Sequence, residues 1–185
     1  MKINKVALLG AGAVGAYFIW GLSDKMGDDF CVVAKGDRKE RLEKEGIIIN
    51  GKTYFPCVKE PQELTDVDLL LISSKQDALE TAMDDIKAMV SKNTMVISLL
   101  NGVTSEEIIG NAIGMEHMLY AVMRIASVRV GNEITFNPDI TAGVFVGEKG
   151  VKEPTKRVLA WQWKNCLRVP VFVIPLWKTS LQTCG

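Results

Sequence analysis

An apolar, strand-like run, Lys5-Val6-Ala7-Leu8-Leu9, breaks at Gly10-Ala11-Gly12-Ala13-Val14-Gly15 and re-enters as the apolar stretch Ala16-Tyr17-Phe18-Ile19-Trp20. A strand that turns through G-x-G-x-x-G into a helix constrains a fold sharply. The first glycine permits the tight turn, the second lets backbone approach a phosphate, and the third lets helix pack on strand. Free N–H groups at the helix start, aided by the helix dipole, then face an anion. The expectation is a dinucleotide pyrophosphate site at Gly10, Ala11, Gly12, Ala13, Val14 and Gly15. No Gly-Lys-Ser/Thr follows, so this is not a Walker loop.

The rest of the chain is consistent with that start. Its 185 residues, 48% hydrophobic, suit one domain with a sizeable core and the beginning of a second. Lys plus Arg and Asp plus Glu balance at 22 each, which points away from nucleic acid and from an anionic membrane surface. Cys31, Cys57, Cys166 and Cys184 show no C-x-x-C spacing, and a reduced, cytoplasmic compartment is expected. The first strand begins almost at Met1, leaving no room for a signal peptide. Val169 to Leu176, the longest apolar run near the end, is too short to span a bilayer.

A second strand, Phe30 to Ala34, ends at Lys35-Gly36-Asp37. A charged helix should follow, with Asp37 and Glu40 spaced as a capping box and Gly46 as its stop. Asn50-Gly51 between Ile47-Ile48-Ile49 and Thr53-Tyr54-Phe55 signals a hairpin. Val67 to Ile72 reads as a strand buried on both faces, followed by Leu79, Met83, Ile86 and Val90 at helical spacing. Met95 to Leu100 is the next buried strand, closing at Asn101-Gly102. Thr104 and Glu107 suggest a second capping box, for a helix through Ile113. From His117 to Gly147 longer strands take over, with a turn at Gly131-Asn132. This order describes an α/β chain: a Rossmann-type, doubly wound parallel sheet with an antiparallel strand extension.

In such a sheet the end of the second strand meets the adenosine ribose. An acidic residue there suits the 2′-hydroxyl of NAD, and a basic one the 2′-phosphate of NADP. About twenty residues past the glycine loop stands Lys35, with Arg38 one helical step on. Asp37 lies past the strand end and reads as a helix cap. NADP is therefore the expected cofactor. His117, the single histidine, has no partner at metal spacing, and no metal site or Ser-His-Asp site is expected.

With these pieces in place, the chain resembles the N-terminal domain of ketopantoate reductase (2-dehydropantoate 2-reductase) over about residues 3 to 150. Three segments carry the likeness: the glycine loop with Lys35, Ile72-Ser73-Ser74-Lys75-Gln76, and Leu100-Asn101-Gly102-Val103. Gly147-Glu148 is similar but less specific. The resemblance implies NADPH-dependent reduction of 2-dehydropantoate to pantoate, a step of pantothenate biosynthesis. It would place Lys75 near the nicotinamide half of the cofactor, Asn101 on cofactor and substrate, and Ala126 close to the cofactor.

The family's second, helical domain would begin where this chain ends. The expected division is a dinucleotide-binding domain over 1–168 and a remnant of linker strand and first helix over 169–185. Leu176 to Gly185 fits the family's entry helix with Thr179 where the proton-donating lysine belongs and Thr183 where an asparagine belongs. Lys178 is adjacent, but one residue turns a helix by about 100°, so it serves as a catalytic acid only if the register shifts. A threonine hydroxyl does not replace an ammonium as general acid near neutral pH. The expectation is a truncated or decayed product that binds cofactor and turns over weakly. The segment Trp161–Trp177, left bare, would drive self-association to a homodimer. Two rival readings stand beside this one: a reductase of another 2-oxo acid, and a non-catalytic dinucleotide-binding module.

Overall fold

The computed structural model describes residues 3–101, 104–148, 155–158 and 171–173. Its first half runs β1 (Val6–Leu9), α1 (Ala13–Met26), β2 (Phe30–Val33), α2 (Asp37–Glu45), β3 (Ile47–Ile49), β4 (Lys52–Tyr54) and β5 (Cys57–Lys59). Then follow β6 (Leu69–Ile72), α3 (Met83–Met89), β7 (Met95–Ser98) and α4 (Ser105–Ile113). The strand-rich end holds β8 (Met118–Arg124), β9 (Ser127–Val130), β10 (Glu133–Phe136), β11 (Gly143–Gly147) and β12 (Val171–Val173).

Strands β2, β6 and β7 are apolar or small at every position and buried at every position. Such runs belong in the middle of a parallel sheet covered by helices on both faces. The sheet has eight strands in the order β12-β11-β8-β7-β6-β1-β2-β5. β1 pairs in parallel with β2 and β6, β6 with β7, β7 with β8, and β2 with β5. Alternate side chains divide between two cores. Leu8, Val32, Leu71 and Ile97 meet Phe18 and Ile19 of α1 on one face. Ala7, Val33, Leu70, Ile72 and Val96 meet Ile86 and Met89 of α3 and Ile109 of α4 on the other. The sheet is thus doubly wound, and β11 adds the antiparallel extension by pairing with β8.

The strands between β8 and β11 do something the sequence order did not anticipate. β9 and β10 leave the main sheet and join β3 and β4 in a separate four-stranded sheet, β4-β3-β10-β9. The Asn50-Gly51 hairpin forms as expected, with φ of 50° and 77°, the positive pair that a two-residue turn of this hand requires. Asn50 also accepts a hydrogen bond from the Phe136 amide on its Oδ1 at 2.9 Å, which locks the hairpin to β10. Tyr17 and Trp20 of α1 stack with centroids 5.9 Å apart, and both meet the edge of Phe136 at 5.3 and 5.5 Å. These rings fasten α1 to the second sheet from behind.

Neither expected capping box forms. α2 starts at Asp37 itself behind Gly36, and α4 starts behind Thr104; neither cap makes a side-chain hydrogen bond. Thr104 already has helical backbone angles, φ −90° and ψ −23°, whereas a capping hydroxyl needs an extended residue to reach back. A reciprocal box is present at Glu60 and Glu63, in front of a short 3-10 turn. The spacing from Leu79 to Val90 yields a helix only over Met83–Met89, after a 3-10 turn at Gln76–Ala78. Among the described residues no helix is long and apolar enough to cross a membrane. The boundary at 168 and the readings of Trp161, Trp177, Lys178, Thr179 and Thr183 lie outside the described residues.

Candidate functional site

The parallel strands β2, β1, β6, β7 and β8 are consecutive neighbours, so their carboxyl ends form one edge. The candidate residues line up along that edge in the same order. Lys35 follows β2, the glycine loop follows β1, Lys75 follows β6, Asn101 follows β7, and Ala126 follows β8. Ala126 is exposed in the break between β8 and β9, not inside a strand. The chain passes from β1 outward to β2 on one side and to β6 on the other. Ligands of open α/β sheets bind outside the carboxyl ends at such a reversal.

The loop's three glycines meet three different surroundings. Gly10 has φ +106°, and a Cβ there would meet the Ser73 carbonyl and Ser74 amide at 2.8 Å. A Cβ on Gly15 would run into the Gly10 carbonyl oxygen and lie 2.9 Å from Ser73 Oγ. Gly12 has ordinary angles, φ −83° and ψ −163°, and nothing within 4 Å of an added Cβ. Its lack of a side chain therefore leaves a bare cradle at the mouth of α1. That mouth carries no acidic residue in its first turn and no side-chain cap, so its orphan amides face no competing carboxylate. A phosphate-bearing group fits these residues.

Ser73 supplies the pin that holds the loop. Its Oγ donates to the Gly10 carbonyl at 2.7 Å, and its amide donates to Leu9 O at 2.8 Å. The neighbouring Ser74 Oγ is buried without a hydrogen-bond partner among the described residues, and a group of that kind is costly to leave unmatched. The contact of Ser73 with Gly10 joins residues 63 positions apart, so no local sequence pattern announces it.

Lys75 and Asn101 are exposed, and neither side chain makes a hydrogen bond or ion pair with the described residues. Gly102 and Val103, next to Asn101, lie outside those residues. Behind the Asn101 segment is a buried polar relay. Ser98 Oγ and Ser105 Oγ are 2.8 Å apart, and Ser105 donates to Glu106 Oε2 at 2.9 Å. Burial holds the Glu106 carboxyl above the ordinary carboxylate range, against the lowering effect of its own backbone and of Ser105.

Lys35 is placed at the end of β2 as expected, yet its ammonium is not free: it pairs with Asp85 of α3 at 2.7 and 2.8 Å. Arg38 is exposed and makes no such contact with the described residues. A cavity of about 290 Å³ beside Ser23, Asp24 and Cys57 lies by the opposite end of α1 and is separate from this edge. His117 donates or accepts at the Thr94 carbonyl through Nδ1 at 2.8 Å and stands away from it as well, at the amino end of β8.

Known proteins share this fold. The model of a family described as ketopantoate reductase PanE/ApbA matches residues 6–147. A 2-dehydropantoate 2-reductase of Pyrococcus horikoshii is 32% identical over 106 residues, 56% of this chain and 35% of that protein. An oxidoreductase of Bacillus subtilis, YkpB, is 29% identical over 127 residues, 66% of this chain and 42% of that protein. A crystal structure of a putative ketopantoate reductase from Ralstonia solanacearum superposes with a TM-score of 0.80 at 19% identity, covering 94% of this chain and 61% of that one. The chain thus spans less than half the length of those two sequence relatives.

Proposed function

The chain belongs to the ketopantoate reductase family, and from that premise we propose that it binds NADP(H) and serves the reduction of 2-dehydropantoate to pantoate. The observation that carries the reading is the row of Lys35, Gly10–Gly15, Lys75, Asn101 and Ala126 on adjacent strand ends, with the Gly12 cradle open at its centre.

Each residue then has a task that its surroundings suit. The amides of Ala11 to Val14 hold the diphosphate at the positive end of α1. Arg38 and Lys35 stand by the ribose 2′-phosphate. Lys75, an ammonium with no partner among the described residues, stands one strand over and attracts the carboxylate and carbonyl oxygen of a 2-oxo acid or the amide end of the dinucleotide. Asn101 offers both a donor and an acceptor to cofactor and substrate across the same gap, while the small Ala126 leaves room beside it. When bound, the reduced nicotinamide supplies a hydride to the keto carbon. Lys178 delivers the proton only if the register of its segment shifts. With threonine at the lysine position by resemblance, we expect binding to exceed turnover.

The test is a titration with NADPH, followed by absorbance at the nicotinamide band with 2-dehydropantoate and with a panel of other 2-oxo acids. Dinucleotide binding with slow, 2-dehydropantoate-selective oxidation supports the reading. Failure to bind NADPH refutes it, and turnover confined to another 2-oxo acid moves the chain to a different substrate.

A further inference from the structure

The ribose end of the crevice carries a carboxylate that the proposed function does not use. Asp85 Oδ1 and Oδ2 lie 2.8 and 2.7 Å from Lys35 Nζ, a two-oxygen grip across 50 residues of sequence. The acid is the enclosed member of the pair. Its side chain is 16% exposed, against 52% for the lysine. Asp85 sits in the first turn of α3. Around the end of β2 Lys35 and Arg38 stand with Asp37 and Asp85, and the neighbouring Lys39 and Lys59 pair with Glu60 and Glu63, so the rim is balanced in charge rather than cationic. Arg38 is the cation there that has no partner among the described residues.

A cation already gripped by a carboxylate has less to offer a dianion. A 2′-phosphate must share Lys35 with Asp85 and meets that carboxylate's repulsion. A ribose carrying only hydroxyls meets no such penalty and finds in Asp85 an acceptor. Resting on the NADP(H) reading above, we propose that Asp85 is a specificity-determining residue: by holding Lys35 it relaxes the choice between phosphorylated and unphosphorylated dinucleotide, and Arg38 carries what preference remains.

The experiment measures dissociation constants of NADPH and NADH, by nicotinamide fluorescence at 0.05 and 0.2 M salt, for the unaltered chain, Asp85→Asn, Lys35→Met and the double variant. Asp85→Asn keeps the shape and removes one charge near a dianion, so NADPH should tighten about five- to tenfold at low salt with NADH changed less than about twofold. Lys35→Met should weaken NADPH by less than about threefold in the unaltered chain and by more than about tenfold in the Asp85→Asn background, because only there is the ammonium unshared. The single Lys35→Met variant makes the inference testable even if Asp85→Asn does not fold. A tenfold loss from Lys35→Met alone overturns the inference, as does an unchanged NADPH-to-NADH ratio in Asp85→Asn. Either result would leave Asp85 a surface partner that merely supports α3. Binding of neither dinucleotide by the unaltered chain overturns the NADP(H) reading itself, and the inference with it.

Discussion

Alanine at Gly12 and at Gly15 should separate ligand binding from folding, although both replacements add one methyl to the same loop. At Gly12 the methyl enters space with nothing within 4 Å, on a backbone of φ −83° that any residue adopts. Losing a glycine cap costs some tenths of a kcal/mol, and restricting the unfolded chain returns about 0.4–1 kcal/mol. The net effect on stability is within about 0.5 kcal/mol. The same methyl occupies the approach of a diphosphate to the α1 amides. Displacing two charge-assisted hydrogen bonds, at about 1.5–3 kcal/mol each, weakens NADPH by roughly 100-fold or more. At Gly15 the methyl meets the Gly10 carbonyl oxygen and Ser73 Oγ. Overpacking of that kind costs about 1–3 kcal/mol, and Tm falls about 2–4 °C per kcal/mol for a chain of this size. The assay is thermal unfolding by circular dichroism with and without NADPH. At a hundred times Kd, ligand should raise the Tm of the unaltered chain by about 5–10 °C. Gly12→Ala should match its unliganded Tm and shift by no more than about 1–2 °C with the same NADPH. A Gly12→Ala chain that keeps the full NADPH shift would refute the cradle argument, and one that melts more than about 5 °C early would refute the packing argument.

Three further outcomes follow from named contacts. Ser73→Ala removes the 2.7 Å hydrogen bond to Gly10 and should cost about 1 kcal/mol, read as a denaturant midpoint, together with weaker NADPH binding. Because burial raises the Glu106 pKa in the folded chain, the folded state holds the proton more firmly than the unfolded one. Stability should therefore fall as pH climbs from the usual carboxylate value toward neutrality, and Glu106→Gln, which keeps an acceptor for Ser105, should flatten that slope in urea titrations between pH 4.5 and 7. Cys31, pushed up to about 12 first by burial and then by its hydrogen bond with Cys57, should alkylate with iodoacetamide at pH 8 roughly 10³-fold more slowly than a free thiol. Its raised value also makes stability fall as pH rises above about 9, since there the unfolded thiol has already lost its proton.

The parts of this molecule legible in sequence are those whose causes are local. Gly10 needs a positive φ, Gly15 needs to be small, and Asn50-Gly51 needs two positive φ values; each requirement writes itself into a residue type. The all-apolar run at β6 and the apolar Met95–Ile97 of β7 likewise announce burial on both faces. What sequence spacing missed is tertiary. Asp37 and Thr104 had capping spacing, but the backbone entered α2 through a glycine and α4 through an already helical threonine. Nothing in residues 127–136 says that they pair with 47–54. The pairing of Asp85 with Lys35 spans 50 positions and leaves no local trace.

The ring contacts of Tyr17 and Trp20 with Phe136 have a thermodynamic consequence for the loop at the start of the same helix. A helix seated on the main sheet and bolted to a second one cannot pivot to greet a ligand. The entropy of arranging its terminal amides is spent when the chain folds, so association with a phosphate meets a receptor already set. Loosening the bolt, by trimming Phe136 alone, would make the start of α1 softer and tie the strength of phosphate capture to a side chain that never touches it.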